Sequence, residues 1–146
     1  MKVSNILGQK AGGGSVRTLA PTAKVTEALA MMAEHSIGTI VVSSDGTRAE
    51  GILSERDVVR RLSSDGAACL DAEIGALMTP NPVTCTPDAS AEDVLGRMTE
   101  GRFRHMPVVE EDGRMVGLIS IGDVVKAQLS ELAMEKDALV DMISGR

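Results

Sequence analysis

Apolar side chains recur at helical spacing in two separate segments of the chain. In both segments they occupy every third or fourth position, as Val25, Ala28, Leu29 and Met32, and again as Ala91, Val94, Leu95 and Met98. This spacing aligns the apolar side chains on one face of an α-helix. Each segment therefore predicts an amphipathic helix packed on a core, with a polar N-cap expected at Thr22 and at Asp88.

Short apolar runs on either side of these helices predict β-strands. One run precedes each helix and two follow it, at 16–19, 39–43 and 51–53 and then at 83–85, 106–109 and 117–119. An Asp-Gly turn lies between the last two runs of each set. A second helix is expected directly after the last strand, beginning at Asp57 in the first set and at Asp123 in the second.

The two sets of elements are copies of one sequence unit. Shifted by 66 residues, positions 18–59 align without a gap to 84–125, and 13 of the 42 pairs are identical. One such unit leaves an apolar sheet face uncovered, and pairing with its twin would cover that face. The sequence thus predicts an α/β (α+β) fold of two paired units with three-stranded sheets, at 1–66 with an N-terminal linker strand and at 67–128, followed by a helix at 129–146.

The predicted C-terminal helix carries an apolar seam. Its members follow a 4-3-4-3-4 spacing that is typical of a coiled-coil contact: Val125, Leu129, Leu132, Lys136, Leu139 and Ile143. Two interpretations are open, because the seam can pack on its own module or pair with a second copy of the chain. Lys136 weakens both.

Composition narrows the classes of function. The formal net charge is −6 and Phe103 is the only aromatic residue, which argues against a nucleic-acid-binding surface. The two cysteines, Cys69 and Cys85, do not combine with His35 and His105 at zinc-site spacing. We therefore expect no metal and a reducing, cytoplasmic location. No apolar run is long enough for a signal peptide or a membrane span.

The sequence pattern contains no catalytic constellation. Neither a Ser–His–Asp nor a Cys–His arrangement is evident, and we expect no enzyme activity. The three consecutive glycines at 12–14 match neither a dinucleotide-binding fingerprint nor a phosphate-binding loop that ends in Lys and Ser or Thr. They are predicted to be part of a flexible linker.

The strand-to-helix junction is the repeated feature with the most chemistry. It reads GILSERD at 51–57 and GLISIGD at 117–123. In one interpretation Ser54 and Asp57, like Ser120 and Asp123, form capping boxes that only start a helix. In the other, the exposed carboxylate also accepts two hydrogen bonds from a ribose diol, while the neighbouring N–H groups favour a phosphate.

These junctions, repeated at one fixed offset, resemble the CBS domain. The segment FRHMPVV at 103–109 is similar to the middle strand of that family, and IGALMTPNPV at 74–83 is similar to the linker that precedes a CBS repeat. The resemblance extends from about Ile6 to Gln128. It implies a CBS pair, or Bateman module, whose halves face each other around a pseudo-twofold axis and bind adenine nucleotides in the clefts between repeats.

The resemblance also implies which residues meet the nucleotide. Asp57 and Asp123 would hold ribose hydroxyls. The phosphate would lie near Ser54, Arg56, Thr79 and Ser120, and the adenine near Ile37, Gly38 and Thr39 in one copy and Phe103, Arg104, His105 and Met106 in the other, with backbone edges at Thr18, Val83 and Thr84. Because the linker at 7–9 has no counterpart of the Thr79 hydroxyl, the Asp57 site, with Arg56, Thr79 and Arg104, is expected to bind phosphate better.

The function implied by the resemblance is regulatory. A module of this kind would bind AMP, or a related adenine ligand such as ADP, ATP, NADH or an S-adenosyl compound, as a ligand rather than as a cofactor. It would associate as a homodimer and act on a target protein that the sequence does not identify. The alternative is a structural or oligomerisation module whose nucleotide clefts are vestigial and whose Ser and Asp pairs only cap helices.

Overall fold

The helices and strands form largely where the hydrophobic pattern predicts them. The computed structural model describes residues 1–10 and 16–145, so the predicted glycine linker at 12–14 lies outside the described residues. In chain order the elements are α1 (Val3–Gln9), β1 (Thr18–Leu19), α2 (Val25–His35), β2 (Thr39–Val42), β3 (Gly51–Ser54), α3 (Glu55–Asp65), two 3-10 helices (Gly66–Asp71 and Ile74–Ala76), β4 (Thr79–Pro80), α4 (Ala91–Gly101), β5 (His105–Val109), β6 (Met115–Ser120) and α5 (Ile121–Ile143).

The chain folds as two units, each discontinuous in sequence. The first-repeat unit contains Val16–Val83 and Glu111–Met115. The second-repeat unit contains the described residues within Met1–Ser15, Thr84–Glu110 and Val116–Arg146. The N-terminal residues therefore pack with the second repeat, whereas the linker between the repeats packs with the first. The boundaries predicted at 66 and 128 follow the sequence order and remain predictions.

A four-stranded sheet organises the first-repeat unit. The strand order is β1-β2-β3-β4, with β1 parallel to β2 and the other neighbours antiparallel. Its core consists of buried apolar side chains from α2, α3, β2, β3 and the linker: Val25, Ala28, Met32, Ile40, Val42, Leu53, Val58, Ile74 and Leu77. The three expected strands are joined by a fourth because Thr79 of the linker pairs with Ile52 of β3.

The second-repeat unit has a smaller sheet, in which β5 pairs with β6. The strand predicted at 83–85 is reduced to a single parallel bridge between Cys85 and Val108. In the first-repeat unit the backbone N–H of Val41 donates to the carbonyl of Arg17 over 3.2 Å. The residue 66 positions after Val41 is Pro107, which has no N–H to donate. The proline therefore explains why this ladder is shorter.

The two cores use equivalent positions. Buried residues 66 positions apart include Val25/Ala91, Ala28/Val94, Met32/Met98, Ile40/Met106, Val42/Val108, Leu53/Ile119 and Val58/Val124. A linker completes each core, with Ile74 and Leu77 in the first-repeat unit and Val3, Ile6 and Leu7 in the second. Val3–Gln9 forms a helix where the sequence predicts a linker strand, because the spacing of its apolar residues suits a helical face. The predicted fold class is confirmed.

The N-caps expected at Thr22 and Asp88 are wrong. α2 begins after Lys24, which makes no side-chain capping bond, and α4 begins after Ser90, whose hydroxyl accepts from the N–H of Asp93 over 3.1 Å. Asp88 lies two residues before that cap, and its carboxylate is 3.9 Å from the Lys2 ammonium. In α4 the capping oxygen is therefore supplied two residues closer to the helix than expected, and α2 has no side-chain cap.

The predicted C-terminal helix is the second part of one continuous helix, α5, which spans 23 residues. Only its first turns are buried, through Val124 and Ala127. The apolar seam is open to solvent, and its exposed fraction rises from 42% at Val125 to 87% at Ile143. Packing of the seam on its own module is therefore not what the described residues show. None of the helices in 1–10 and 16–145 combines the length and the apolar character needed to span a bilayer.

Candidate functional site

Both strand-to-helix junctions form complete capping boxes. In the first-repeat unit the Asp57 N–H donates to Ser54 Oγ over 3.2 Å, and the Ser54 N–H donates to Asp57 Oδ2 over 2.9 Å. At Ser120 and Asp123 the same two distances are 3.1 and 2.9 Å. The capping interpretation is confirmed. It leaves the functional one open, because each cap uses only the Oδ2 oxygen of its half-buried aspartate.

The register of the first-repeat sheet places two of the four predicted strand residues at the end where α3 begins. β1 is parallel to β2, so both begin at the same end, where the antiparallel β3 finishes and the antiparallel β4 begins. Thr18, Thr39, Ser54 and Thr79 lie at those strand ends, and Thr39 is the direct partner of Ser54. Thr39 and Ser54 therefore lie beside the N-terminus of α3, whereas Thr18 and Thr79 are level with Val41 and Ile52, two residues farther into the sheet.

The segment between α2 and β2 closes onto this helix start. The Glu55 N–H donates to the Gly38 carbonyl over 2.9 Å. Gly38 and Arg56 are exposed, and Ile37 is half-buried against the core. Val83 is exposed at the end of the unit. The structure thus brings Gly38 to the first residue of α3, with Arg56 exposed beside it and Ile37 packed on the core.

The second-repeat unit repeats this closure with different side chains. The Ile121 N–H donates to the Arg104 carbonyl over 2.8 Å, the same bond 66 positions later. Phe103 is half-buried against the core and Arg104 is exposed. Met106 is 0% exposed and packs within the core, so its side chain is not exposed for the adenine contact that the sequence predicts. The carbonyl of half-buried Thr84 accepts from the Arg97 guanidinium over 2.9 Å.

Lys10 lies at the second-repeat junction, and the sequence pattern did not predict it there. Its ammonium nitrogen lies 2.9 Å from Asp123 Oδ2 and donates to the Leu118 carbonyl over 2.9 Å. The two linkers occupy equivalent places, because Leu7 packs against Gly117 as Met78 packs against Gly51. Lys10 follows Leu7 by three residues, where the first-repeat unit has Asn81 after Met78. Among the described residues, Asp57 forms no such ion pair.

This ion pair sets the charge state of the second-repeat site. Partial burial acts to raise the pKa of Asp123, but hydrogen bonds from Lys10 and Ser120 outweigh burial and hold the pKa below its ordinary value. Burial lowers the pKa of His105, and the cations of Lys10 and Arg104 lower it further, against the opposing effect of Asp123. At neutral pH this site therefore combines one carboxylate, two cations and a neutral imidazole.

The described residues also bear on metal binding and on thiol reactivity. Within 1–10 and 16–145, no group of three or more His, Cys, Asp and Glu side chains is placed to hold a metal ion. Burial raises the pKa of the Cys85 thiol to about 11, so the thiol stays protonated at neutral pH. What the two junctions offer is a pair of hydrogen-bonding surfaces, each built around a carboxylate at a helix start.

The chain belongs to the CBS domain family, because the model of that family matches residues 15–64 and 74–130. The mitochondrial CBS domain-containing protein CBSX3 from Arabidopsis thaliana is 34% identical over 125 residues, which cover 83% of this chain but only 60% of that protein. The crystal structure of the CBS-domain containing protein ATU1752 from Agrobacterium tumefaciens aligns with a TM-score of 0.80 at 42% identity, covering 87% of this chain and 92% of that one. The CBS domain protein PAE2072 from Pyrobaculum aerophilum, solved in complex with AMP, aligns with a TM-score of 0.77 at 26% identity, covering 92% and 99%.

Proposed function

We propose that this chain is a regulatory module that binds an adenine nucleotide, foremost AMP, at its two strand-to-helix junctions. The observation that carries the proposal is that both junctions share one geometry, in which the capping bond uses only one oxygen of the aspartate side chain. The AMP complex of PAE2072 supports the ligand class. The proposal includes no covalent chemistry. Ligand binding would regulate a separate target protein.

The chemistry of the junction suits a nucleoside phosphate. An aspartate oxygen outside the cap can accept hydrogen bonds from vicinal ribose hydroxyls, with Asp57 and Asp123 in this role. The N-terminus of the following helix favours an anion, and Ser54, Arg56, Thr79 and Ser120 are the proposed phosphate neighbours. Ile37, Gly38 and Thr39, and Phe103, Arg104 and His105, are the proposed adenine neighbours. Such contacts add about 1.5–3 kcal/mol for each hydrogen bond to a charged group.

We further propose that the Asp57 site is the stronger of the two. The Asp57 carboxylate makes no ion pair within the described residues, whereas the Asp123 carboxylate is already engaged by Lys10. A ribose at Asp123 therefore competes with an existing partner. Arg56 adds a cation beside Asp57, and the residue 66 positions later is Gly122.

Isothermal titration with AMP, ATP and NADH tests the proposal, with thermal unfolding as a second readout. A ligand at 100 times its dissociation constant adds about 2.7 kcal/mol of stability. Asp57→Asn retains a capping side chain but loses the charge, so its fold should persist while binding weakens. We expect Asp57→Asn to weaken AMP binding more than Asp123→Asn. The control Asp65→Asn, at the C-terminal end of α3, should leave the AMP affinity of both sites unchanged. Absence of binding by every adenine ligand would leave the structural alternative.

The exposed seam of α5 supports a second proposal, self-association through this helix. Leu132 and Leu139 are each 60% exposed on a face whose period matches that of a two-helix contact. A second copy of α5 supplies a partner with the same period. We expect the full chain to sediment as a dimer and Leu132→Glu/Leu139→Glu to sediment as a monomer with unchanged AMP affinity. The control Glu135→Gln/Asp137→Asn should remain dimeric. A monomeric wild type at every tested concentration contradicts this proposal alone.

A further inference from the structure

We propose that Lys10 is a specificity residue of the second-repeat site, which makes that site select adenine ligands carrying an anionic group over neutral nucleosides. This inference rests on the proposed function, because it assigns a ligand class to one of the two proposed sites. It concerns a residue outside both repeats, and it predicts that the two sites differ in the ligands they accept.

The geometry places the Lys10 ammonium at the carboxylate that a ribose would use. Lys10 Nζ contacts Asp123 Oδ2 and the Leu118 carbonyl, each over 2.9 Å. An ammonium has three donors, so these two contacts leave one donor for a ligand. The side chains of Lys10 and Asp123 are 29% and 23% exposed, respectively. The ion pair is therefore shielded enough from water for its loss to cost free energy, and exposed enough for a ligand to reach it.

A neutral ribose meets a penalty at this pair. Its hydroxyls must share the Asp123 oxygens with Lys10 or displace the ammonium, and a displaced ammonium that is mostly shielded from water loses its charged partner. A ligand phosphate compensates for that loss because it supplies a new anion for the same ammonium. The cost falls on nucleosides without a phosphate, and the first-repeat site, with Asn81 at the corresponding place, has no such cation.

The surrounding residues strengthen this contrast. The exposed Arg104 adds a second cation, and the neutral His105 adds no negative charge. At the helix start this site has Ile121 and Gly122, where the first-repeat site has Glu55 and Arg56. The carboxylate of Glu55 lies beside Gly38 and offsets part of the positive charge that Arg56 brings to the first-repeat site, whereas the second-repeat site has no acidic residue at that position.

The test compares AMP with adenosine at the second-repeat site. All proteins carry Asp57→Asn, which weakens the other site while keeping the cap. Titration calorimetry gives the ratio of the adenosine and AMP dissociation constants for this background and for added Lys10→Met, Lys10→Arg and Lys2→Met. We expect Lys10→Met to lower the ratio by about tenfold or more. Lys10→Arg, which keeps the cation, and Lys2→Met, which removes an exposed cation of the same N-terminal segment, should keep the ratio.

The outcomes separate this inference from the proposed function. An unchanged ratio in Lys10→Met, or equal tightening of both ligands, overturns the specificity role while nucleotide binding stands. No binding of either ligand, with or without Asp57→Asn, overturns the proposed function and the inference with it. The pKa of His105, followed by NMR without ligand, should rise in Lys10→Met because a nearby cation is removed, and an unchanged pKa would contradict the ion-pair geometry.

Discussion

Gly51 marks a point of close contact where a single methyl group should disturb the proposed first-repeat site. A Cβ at position 51 would lie 2.3 Å from Met78 Sδ and 3.0 Å from the Thr79 carbonyl oxygen. The sulfur belongs to a flexible side chain and can move, but the carbonyl belongs to β4 and cannot move without shifting the strand. Gly51→Ala should therefore displace the linker that carries Thr79.

The cost can be estimated from overpacking. An extra methyl group in a packed interior destabilises a protein by about 1–3 kcal/mol. For a chain of this length the melting temperature falls by about 2–4 °C for each kcal/mol. For Gly117→Ala, the equivalent change in the second-repeat unit, the nearest atoms to the new Cβ all belong to the Leu7 side chain, the first at 2.8 Å. Because a leucine side chain can change rotamer, the melting temperature of Gly117→Ala should fall less than that of Gly51→Ala.

Differential scanning calorimetry measures both changes. Gly96→Ala is the matched control, because Gly96 is an exposed residue in the middle of α4 and a Cβ there meets no atom of a neighbouring element within 4 Å. Alanine is favoured over glycine within a helix by about 0.5–1 kcal/mol, so this variant should melt at a higher temperature than wild type. A Gly51→Ala protein as stable as wild type, or one less affected than Gly117→Ala, would refute the backbone contact as the cause.

Three further predictions follow from the same structure. Ser90→Ala should lower the free energy of unfolding by about 1 kcal/mol in urea titrations because an N-cap is lost, and Lys24→Ala, at the equivalent uncapped position, should change it little. The folded pKa of Asp123 lies below its ordinary value of 3.8. The stability that ionised Asp123 contributes to the fold is therefore present above pH 3.8 and is lost as the pH falls through the folded pKa. Lys10→Met should therefore lose less stability on acidification below 3.8 than Lys2→Met, and equal acid sensitivity would count against the ion pair. The Cys85 thiol, with a pKa of about 11, should not react with a disulfide reagent near neutral pH until the protein is unfolded, and rapid labelling of the native protein would show that the thiol is accessible.

The sequence was sufficient to predict the repeated architecture. Apolar spacing located α2 and α4, and the 66-residue offset predicted that buried partners such as Met32 and Met98 occupy the same place in two cores. The Ser–Asp spacing also predicted the caps at Ser54 and Ser120. These features are local or repeated, so the pattern itself carries them.

The features that the sequence did not predict depend on contacts between distant segments. Lys10 reaches Asp123 only because α1 packs on the second repeat, and no periodicity indicates that packing. The fourth strand arises because Thr79 pairs with Ile52, again between segments far apart in the chain. The Thr22 and Asp88 caps failed for a different reason: a turn separates these polar residues from the helices, and the hydrophobic pattern does not fix the position of that turn.

The discontinuous second-repeat unit has a consequence for synthesis. Lys10 and its partner Leu118 are separated by 108 residues, and the whole first-repeat unit core is translated between them. During translation the apolar face of α1 therefore lacks its core partners, which lie between Cys85 and Ala127, until the chain beyond the first-repeat unit has been made. Because the loop between Lys10 and Leu118 is long, its closure should be a late event in folding.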